Sequence, residues 1–226
     1  MCSRFAVTSP PEAIRRYFEY RNLPNFPPRY NIAPTQPIAA VRIDAQGSRE
    51  LVLLRWGLIP SWVKDPRDFT TLINARSETV LTKPSFRSAI RHRRCLIPAD
   101  GFYEWKGARG NKKAFLIKPS NDGPIAFAGL WEHWQGPDGS EIESAVILTT
   151  DANQTLAPVH NRMPSVIRPA DFEAWLNCGD ISAKEAVQLL QPAPDDLFKM
   201  VEVSARINNP RNDDPDVQEP LQGHML

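Results

Sequence analysis

Short apolar blocks and alternating apolar and polar positions dominate the chain, a pattern typical of strands rather than of long helices. Glycine, proline and polar turn residues bound most of the blocks. The predicted strands are CSRFAV, IAAVRID, ELVLLRWG, RCLIPA, GFYEW, KAFLIKP, IAFAGLWEHW, SAVILTT and MVEVS. Because only AQGSR separates IAAVRID from ELVLLRWG, we expect these two strands to form a hairpin.

Helical signals are fewer. In TSPPEAIRRYFEYRN, Ile14, Tyr17 and Phe18 lie on one helical face. Prolines fall in the first turn of this helix, and Thr8 or Ser9 is the expected N-cap. PSFRSAIRHR, PADFEAWLN and SAKEAVQLL are the other predicted helices. Since there is no internal repeat and no linker, the sequence predicts one α+β domain, mainly antiparallel.

The composition is that of a globular protein with many fixed turns. Hydrophobic residues make up 42% of the 226 residues and charged residues 23%, which supports a sizeable core. The 22 prolines are about twice the usual share and are spread along the chain. The C-terminal sequence RINNPRNDDPDVQEPLQGHML, residues 206–226, is polar and proline-rich, so we expect a loop or disorder there unless contacts hold it. We therefore predict a domain over residues 2–210 and a tail over residues 211–226.

The overall charge argues neither for nor against nucleic acid. Lys and Arg total 27 against 26 Asp and Glu, which gives a formal net charge of +1, so any basic surface must be local. RSAIRHRR, residues 87–94, is the densest basic stretch. A solvated helix face is the more common role of such a run.

Cysteine usage and hydropathy indicate the compartment. The three cysteines, at positions 2, 95 and 178, are an odd number without paired spacing, which favours a reducing environment. No cysteine or histidine spacing suggests a zinc site. No apolar run approaches the ~20 residues of a membrane span, and no signal-type segment precedes Cys2. We expect a soluble, cytoplasmic protein with no membrane partner.

Five stretches place ionisable or amide side chains beside prolines, glycines or aromatic residues, with neither strand nor helix periodicity. Rigid neighbours of this kind hold polar groups in fixed positions near apolar surface. The stretches are RYNIAPTQP (29–37), RWGLIPSW (55–62), LINARSET (72–79), IPADGFYEW (97–105) and PVHNRMPSVI (158–167). No single stretch identifies a function.

Cys2 has unusual chemistry if Met1 is removed. It then carries a free α-amine, part of which is a neutral nucleophile at neutral pH, beside a strongly nucleophilic thiol. The amine forms an imine with an aldehyde, and the thiolate closes on the imine carbon to give a five-membered thiazolidine. An internal cysteine cannot do this, because its nitrogen is an amide. Judged by position alone, however, a terminal cysteine is usually incidental.

Three other residues have side chains suited to assist such a reaction. Glu104, between Tyr103 and Trp105, is a candidate general acid–base, with an exposed strand carboxylate as the alternative. His160, in the proline-flanked PVHNRMP, is a candidate proton shuttle or a structural histidine. The amide of Asn74 is suited to orient a terminal amine or a sugar hydroxyl, although turns and caps are its commoner use.

Arginines and tryptophans near these residues suit nucleic acid. Arg4, Arg76 and Arg162 each lie within two residues of a candidate site residue, and guanidinium groups bind phosphate well. Trp56 and Trp62 flank GLIPS and are candidates for stacking on bases. Core packing is the more common role of tryptophan.

These motifs, in this order, resemble the SRAP (SOS response-associated peptidase) family over nearly the whole chain. The matching set is MCSRF, RYNIAPTQ, WGLIPSW, NARSET, CLIPADGFYEW, AGLWE and PVHNRMP. The resemblance implies one SRAP-type domain with a mainly antiparallel, barrel-like sheet and peripheral helices. It also implies binding to single-stranded DNA that contains abasic sites. Cys2 would capture the ring-opened sugar as a thiazolidine crosslink, which protects the lesion during replication-associated repair.

The resemblance also implies a role for each site residue. Cys2 is the nucleophile, Asn74 orients the cysteine and the sugar, and Glu104 moves protons. His160 assists sugar ring opening or lyase-type β-elimination. The implied DNA-binding residues are Arg4, Arg76 and Arg162 at the phosphates and Pro34 and Trp62 at the bases. This chemistry requires no metal and no organic cofactor.

Two positions depart from the family pattern. Ser3 stands where many members have glycine, and a side chain there narrows the pocket or shifts the terminus. Val63 stands where some relatives have a second tryptophan, and its β-branched side chain offers less stacking area. Neither change removes a reacting group.

Two other functions stay open at this point. Cys2 could be the nucleophile of a cysteine peptidase, as the family's name suggests, although no oxyanion hole can be identified from the sequence. The chain could also be a non-covalent single-stranded DNA-binding module in which Cys2 is inert. Nothing indicates an obligate dimer, so we expect a monomer that is associated with the nucleoid when bound to DNA.

Overall fold

Two mainly antiparallel sheets and a few short helices make up the fold. The computed structural model describes residues 2–108 and 110–225, with side chains as far as residue 221. The helices are α1 (Pro11–Phe18), α2 (Ala89–His92), α3 (Phe172–Leu176) and α4 (Ala183–Ala186). The strands are β1 (Phe5–Val7), β2 (Arg29–Ile32), β3 (Pro37–Ile43), β4 (Arg49–Trp56), β5 (Asn74–Arg76), β6 (Arg94–Ala99), β7 (Gly101–Lys106), β8 (Lys113–Pro119), β9 (Ile125–Gln135), β10 (Glu141–Asp151), β11 (Arg162–Pro164), β12 (Val166–Ile167), β13 (Phe198–Val203) and β14 (Pro220–Met225). Over these residues, no helix has both the length and the apolar character needed to cross a membrane.

Five strands of the larger sheet close into a small barrel. In pairing order they are β10, β4, β3, β6 and β9, and β9 pairs back to β10. All of these pairs are antiparallel except β4 with β10. The hairpin predicted for IAAVRID and ELVLLRWG is confirmed as β3 and β4. Closure pairs these strands on both sides and so removes open sheet edges.

The second sheet has six strands, all antiparallel, in the order β14, β13, β8, β7, β1 and β2. In this sheet β1 follows the N-terminal residues directly and pairs with β7, the strand that contains Glu104. The two sheets with their short helices confirm the predicted α+β fold, mainly antiparallel and barrel-like.

The hydrophobic core begins at the N terminus of the described chain. Cys2 and Phe5 are fully buried within it. The ring of Phe5 meets Trp56 edge to face at 5.1 Å and Phe127 at 6.0 Å between ring centroids. Trp56 is also fully buried, and its Nε1 donates to the Ile73 carbonyl at 3.0 Å. Stacking of Trp56 on DNA bases, one of the roles considered from the sequence, is therefore wrong, because the indole is part of the core.

A carboxylate from another segment holds the start of α1. Pro10 is the N-cap and makes no side-chain cap bond, so the predicted capping by Thr8 or Ser9 is wrong. Instead the backbone N–H groups of Thr8 and Ser9 donate to Asp100 Oδ2 at 2.6 and 2.7 Å, and Ser9 Oγ donates to Oδ1 at 2.5 Å. Because Asp100 lies between β6 and β7, it ties the start of α1 to the sheets.

The basic stretch RSAIRHRR is only partly a surface feature. Arg93 pairs with Glu132 at 2.7 Å. Arg94 is buried, and its guanidinium donates to the carbonyls of Ile90, Trp175, Asn177 and Ile181. Two of the charges in the stretch are therefore used within the fold, which weakens its candidacy as a nucleic-acid patch.

A C-terminal strap (residues 204–213) binds Arg4, which precedes β1, and Asn31 on β2. The buried side-chain amide of Asn31 is at the centre of these contacts. Asn31 Nδ2 donates to the carbonyls of Ile207, Asn209 and Asn212 at 3.2, 3.0 and 2.9 Å. Asn31 Oδ1 accepts from Arg4 Nη1 at 3.0 Å, and the same Nη1 donates to the Ile207 carbonyl at 2.9 Å. Asn31 is thus the hub that joins the N-terminal segment to the strap.

Asp213 fixes the end of the strap. Its carboxylate accepts from the backbone N–H groups of Tyr30 and Asn31 at 2.6 and 2.8 Å and pairs with Arg29. Further along, Val217 is fully buried and β14 pairs with β13. The sequence predicts a loop or disorder over residues 206–226 unless contacts hold the segment, and the structure supplies such contacts.

We expect Asn31→Ala to lower the free energy of unfolding by about 1–3 kcal/mol, because the strap carbonyls and an Arg4 donor lose their buried partner. Urea unfolding followed by tryptophan fluorescence measures this. Asn25→Ala, at an exposed loop amide, is the control and should change stability by less than about 0.5 kcal/mol. Equal stability of the two variants would contradict the role of Asn31 as hub.

Candidate active site

Four segments of the fold carry the candidate catalytic residues. Cys2 precedes β1, Asn74 begins β5, Glu104 lies on β7, and His160 precedes β11. Pairing of β1 with β7 brings the N-terminal segment beside the strand of Glu104. Both β5 and β11 pair with β10, which brings the segments of Asn74 and His160 to the same strand.

Cys2 is fully buried, and hydrogen bonds fix both its backbone and its thiol. Asn74 Nδ2 donates to the Cys2 carbonyl at 2.7 Å. Cys2 Sγ donates to the Arg4 carbonyl at 3.6 Å, and this carbonyl also accepts from the Tyr103 backbone N–H at 3.0 Å. Burial raises the pKa of the Cys2 thiol well above its ordinary value, and the charge of Glu104 raises it further.

Glu104 is a buried carboxyl group, 4% exposed. Burial raises its pKa above the usual range for a glutamate, and the positive charge of His160 acts in the opposite direction. Since the charge of Glu104 also acts on Cys2, the carboxyl group lies within electrostatic reach of both the thiol and the imidazole.

The backbone orients the imidazole of His160. The Arg162 backbone N–H donates to His160 Nδ1 at 2.9 Å, and the backbone N–H of His160 donates to the Leu156 carbonyl at 3.0 Å. Nδ1 also lies 3.3 Å from the Arg162 carbonyl, so the same backbone residue can bind this nitrogen whether it accepts or donates a hydrogen. The Arg162 backbone therefore fixes the Nδ1 side of the imidazole.

Asn74 presents an acceptor suited to a ligand. Its Oδ1 is buried and accepts no hydrogen bond within the described part of the chain, while its Nδ2 is bonded to the Cys2 carbonyl. An unsatisfied buried acceptor is costly, and an incoming N–H or O–H group would satisfy it. The amide thus holds the Cys2 carbonyl with its nitrogen and presents an unsatisfied buried oxygen on its other side.

Together the four residues supply the parts of a nucleophilic reaction. They are a thiol, a carboxyl group disposed to hold its proton, an oriented imidazole and an amide with an unused acceptor. Among the residues that the structure describes, no group of three or more His, Cys, Asp or Glu side chains could hold a metal ion.

Three of the predicted DNA-binding residues reach the surface. Trp62 is 57% exposed and meets Phe69 edge to face at 5.7 Å. Pro34 is partly exposed in the turn between β2 and β3. Arg76 is exposed at the end of β5, two residues beyond Asn74.

Arg162 is engaged inside the protein. Its guanidinium pairs with Glu78 and, at 2.6 Å, with Asp151, and Nη2 donates to the Thr149 carbonyl at 2.6 Å. This differs from the phosphate contact implied by the resemblance, because two carboxylates already neutralise the buried charge. What Arg162 does provide is the backbone N–H that orients His160.

The other predicted phosphate ligand and the two departures from the family pattern also have defined positions. Arg4 is partly exposed but donates to the strap, so only part of its guanidinium remains for a ligand. Ser3 is partly buried beside it. Val63 is buried in a small cluster with Ile59 and Trp134, so its side chain offers no stacking surface.

Sequence reasoning missed two polar residues that support the site. Asn31 anchors the segment that holds Arg4, and Asp100 anchors the start of α1 next to β7. Each lies in a motif noted above, RYNIAPTQP or IPADGFYEW, and motif membership was the available signal. Their partners lie far away in the chain, so no local spacing could reveal the bonds.

Comparison with known proteins gives the family. The family model described as "SOS response associated peptidase (SRAP)" matches residues 1–210. The chain therefore belongs to the SRAP family. It is 39% identical over 223 residues to the abasic site processing protein YoqW of Bacillus subtilis strain 168, and this match covers 97% of this chain and 99% of that protein. It is also 31% identical over 271 residues to the abasic site processing protein HMCES of Rattus norvegicus, and this match covers 97% of this chain and 76% of that protein.

Solved structures share the fold. A crystal structure of a protein from Bacteroides thetaiotaomicron matches with a TM-score of 0.87 at 24% identity and covers 97% of this chain and 100% of its own. A protein from Bordetella bronchiseptica matches with a TM-score of 0.78 at 27% identity, covering 90% of this chain and 100% of its own. The arrangement of sheets described above is therefore found in experimental structures.

We expect Glu104→Gln to stabilise the fold at pH 7 and to have little effect at pH 4. Because the folded-state pKa of Glu104 is raised, the folded protein binds this proton more tightly than the unfolded chain does. The stability of the unmodified protein therefore falls as the pH rises from the unfolded to the folded pKa, and glutamine removes that loss. Urea unfolding of both proteins at the two pH values measures the difference.

Glu12→Gln, at an exposed position of α1, is the matched control and should change stability by less than about 0.5 kcal/mol at either pH. A gain for Glu104→Gln that is equal at pH 4 and pH 7 would show that the carboxyl charge is not its cause.

Proposed function

We propose that this protein processes abasic sites in DNA by capturing them covalently, in single-stranded DNA, through Cys2. Its relatives YoqW and HMCES are named abasic site processing proteins, which supports the substrate. The observation that carries the chemistry is the grouping of Cys2 with Asn74, Glu104 and His160.

Capture begins with an imine. Removal of Met1 gives Cys2 an α-amine, which attacks the aldehyde carbon C1′ of the ring-opened sugar. The resulting carbinolamine loses its hydroxyl group as water to form the iminium. Asn74 holds the Cys2 carbonyl during these steps, and its buried Oδ1 accepts from the amine or from a sugar hydroxyl.

Glu104 transfers the protons. In its protonated form, which the raised pKa favours, the carboxyl group protonates the departing hydroxyl of the carbinolamine. The carboxylate left behind takes the proton of the Cys2 thiol, and the sulfur attacks the iminium carbon. One C–N and one C–S bond form, one water is released, and Glu104 ends protonated as it began. The product is a thiazolidine that links the protein to the sugar.

His160 acts on the closed form of the sugar. Abasic sugars must open before C1′ is an aldehyde, and opening needs a proton at the ring oxygen. In its imidazolium form, His160 gives its Nε2 proton to the ring oxygen, and the C1′ hydroxyl loses its proton to water, so that the bond from C1′ to the ring oxygen breaks and the aldehyde forms. The Arg162 carbonyl, 3.3 Å from Nδ1, holds the other side of the ring. The same imidazole is suited to the proton transfers of β-elimination, which would cleave the strand.

The exposed residues around the site hold the strand. Arg76 and the part of Arg4 not bound to the strap bind the flanking phosphates. Trp62 and Pro34 pack against the neighbouring bases. The crosslink then shields the lesion during replication-associated repair, at the nucleoid of the cell.

Mixing the purified protein with a single-stranded oligonucleotide that carries one abasic site should give one covalent adduct. Its intact mass, measured under denaturing conditions, should equal the protein without Met1 plus the DNA minus one water. Cys2→Ala should give no adduct and should still bind the oligonucleotide. Cys178→Ala, which removes the partly exposed third thiol, is the control and should react at the rate of the unmodified protein.

If Met1 is absent and no adduct forms, the aminothiol mechanism is excluded. A peptidase assay that compares the unmodified protein with Cys2→Ala then tests the other use of this thiol. Cleavage that depends on Cys2 would favour the activity in the family's name, and binding of DNA without any reaction would favour a binding module.

The three assisting residues should affect rate more than binding. We expect Glu104→Gln to slow capture about 100-fold or more, because general acid–base catalysis contributes on that order. Asn74→Ala and His160→Ala should each slow it by roughly 10- to 100-fold through misplacement or slower ring opening. Single-turnover kinetics at saturating DNA measure these rates. Capture by all three variants at the rate of the unmodified protein would refute the site assignment.

A further inference from the structure

Arg55 on β4 is a partly buried cation whose charge no carboxylate compensates within the described part of the chain. Its Nη1 donates to the Gly57 carbonyl at 2.8 Å. Burial lowers the pKa of its guanidinium, and no negative neighbour acts against that effect. On the adjacent strand Arg42 shows the contrast, since it pairs with Glu50 at 2.9 Å and Glu143 at 2.6 Å.

A glycine lies beside Arg55 and is covered by two side chains. Gly57 has φ +131°, in the region that only glycine adopts readily. A Cβ at this position would lie 2.9 Å from Arg55 Nη1 and 2.3 Å from Thr71 Cγ2. The guanidinium and the threonine therefore meet over a glycine, and both side chains are partly exposed. We call Arg55, Gly57 and Thr71 the Arg55 cluster.

Backbone hydrogen bonds tie the Arg55 cluster to the turn of Pro34, where we place a base. The Thr35 N–H donates to the Trp56 carbonyl at 2.8 Å, and the Trp56 N–H donates to the Gln36 carbonyl at 2.9 Å. The turn is thus fastened to the residue that follows Arg55, so the two features share one rigid framework.

The cluster is also close to the reacting residue. Thr71 precedes Asn74 by three residues, which span at most about 11 Å when fully extended. Asn74 in turn is bonded to the Cys2 carbonyl. A strand whose abasic sugar lies at Cys2 therefore has its neighbouring phosphates within reach of Arg55, since successive nucleotides advance by about 3.4 Å along a helical strand.

We propose that the Arg55 cluster binds a backbone phosphate of the captured strand, within about three nucleotides of the abasic sugar. This inference rests on the proposed function and gives a DNA-binding role to Arg55, the first residue of RWGLIPSW, which the sequence analysis had not assigned. Arg55 donates to the phosphate oxygens and Thr71 donates its hydroxyl, while the missing side chain of Gly57 lets these two groups lie together. The phosphate brings the negative charge that the guanidinium does not receive from the described residues. The Arg55 cluster also provides a phosphate contact that Arg162, already neutralised by two carboxylates, does not offer.

Equilibrium binding to a fluorescent single-stranded oligonucleotide tests the proposal. All proteins carry Cys2→Ala, so that binding stays non-covalent, and anisotropy gives the affinity at a series of salt concentrations. Arg55→Gln should bind about 3- to 10-fold more weakly at low salt, and the slope of log affinity against log salt should be about 0.7 shallower, the value for one phosphate on a single strand. Arg55→Lys should retain the slope and lose part of the affinity.

Two further variants keep the result interpretable. Arg16→Gln removes one charge from an exposed position of α1 and should leave the slope unchanged. Thr71→Glu keeps Arg55 but places a carboxylate beside it, and should weaken binding as Arg55→Gln does. Circular dichroism confirms that each variant is folded.

The outcomes separate the two proposals. If Arg55→Gln and Thr71→Glu both bind with the slope of the parent protein, the Arg55 cluster holds no phosphate, and the proposed function is unaffected. If Arg55→Gln and Arg16→Gln reduce the slope equally, only net charge matters, and the cluster is again refuted. If the parent protein itself does not bind the oligonucleotide, the proposed function and this inference both fail.

Discussion

The site depends on the burial of the N-terminal segment. Cys2 and Phe5 lie in the core, so the start of the described chain is as firmly packed as a central strand. Asn74 holds the carbonyl of Cys2, and the strap holds Arg4 two residues later. Ordering a flexible arm costs about 1–2 kcal/mol for each residue. Here folding has already fixed the N-terminal segment, so Asn74 and Glu104 face Cys2 in a defined position.

Burial of the Glu104 carboxyl group beside this segment works against stability. Glu104 lies in a low-dielectric setting in which its charge also raises the pKa of the Cys2 thiol. Burial of a carboxyl group costs stability whenever the group has to carry its charge. The cost is intelligible if the group must hold a proton near neutral pH, release it to a leaving hydroxyl and then accept one from sulfur. Under the proposed mechanism, stability and chemistry therefore place opposite demands on the Glu104 side chain.

Local pattern predicted most of the strands, because alternation and turn residues reflect which face of a strand is buried. The β3–β4 hairpin is an example, since its turn lies within the predicted sequence. Motif order indicated the four candidate catalytic residues, which the fold brings together from separate segments. Pattern could not predict which polar partner a side chain would find. Arg162 is neutralised by carboxylates, Trp56 lies in the core, and Asp100 replaces the expected cap, in each case because the deciding neighbour comes from elsewhere in the chain.

The strap also sets an order of assembly. Arg4 and the Ile207 carbonyl it binds are 203 residues apart, and Asn31 and Asn212 are 181 apart. Translation proceeds from the amino end, so the groups that hold Arg4 are made long after Arg4 itself. Contacts of such long range close late in folding. If Cys2 carries the aminothiol of the proposed mechanism, that group would meet aldehydes before the contacts that hold Arg4 have formed. Until the strap closes, only the intrinsic reactivity of the amine and the thiol would select what they bind.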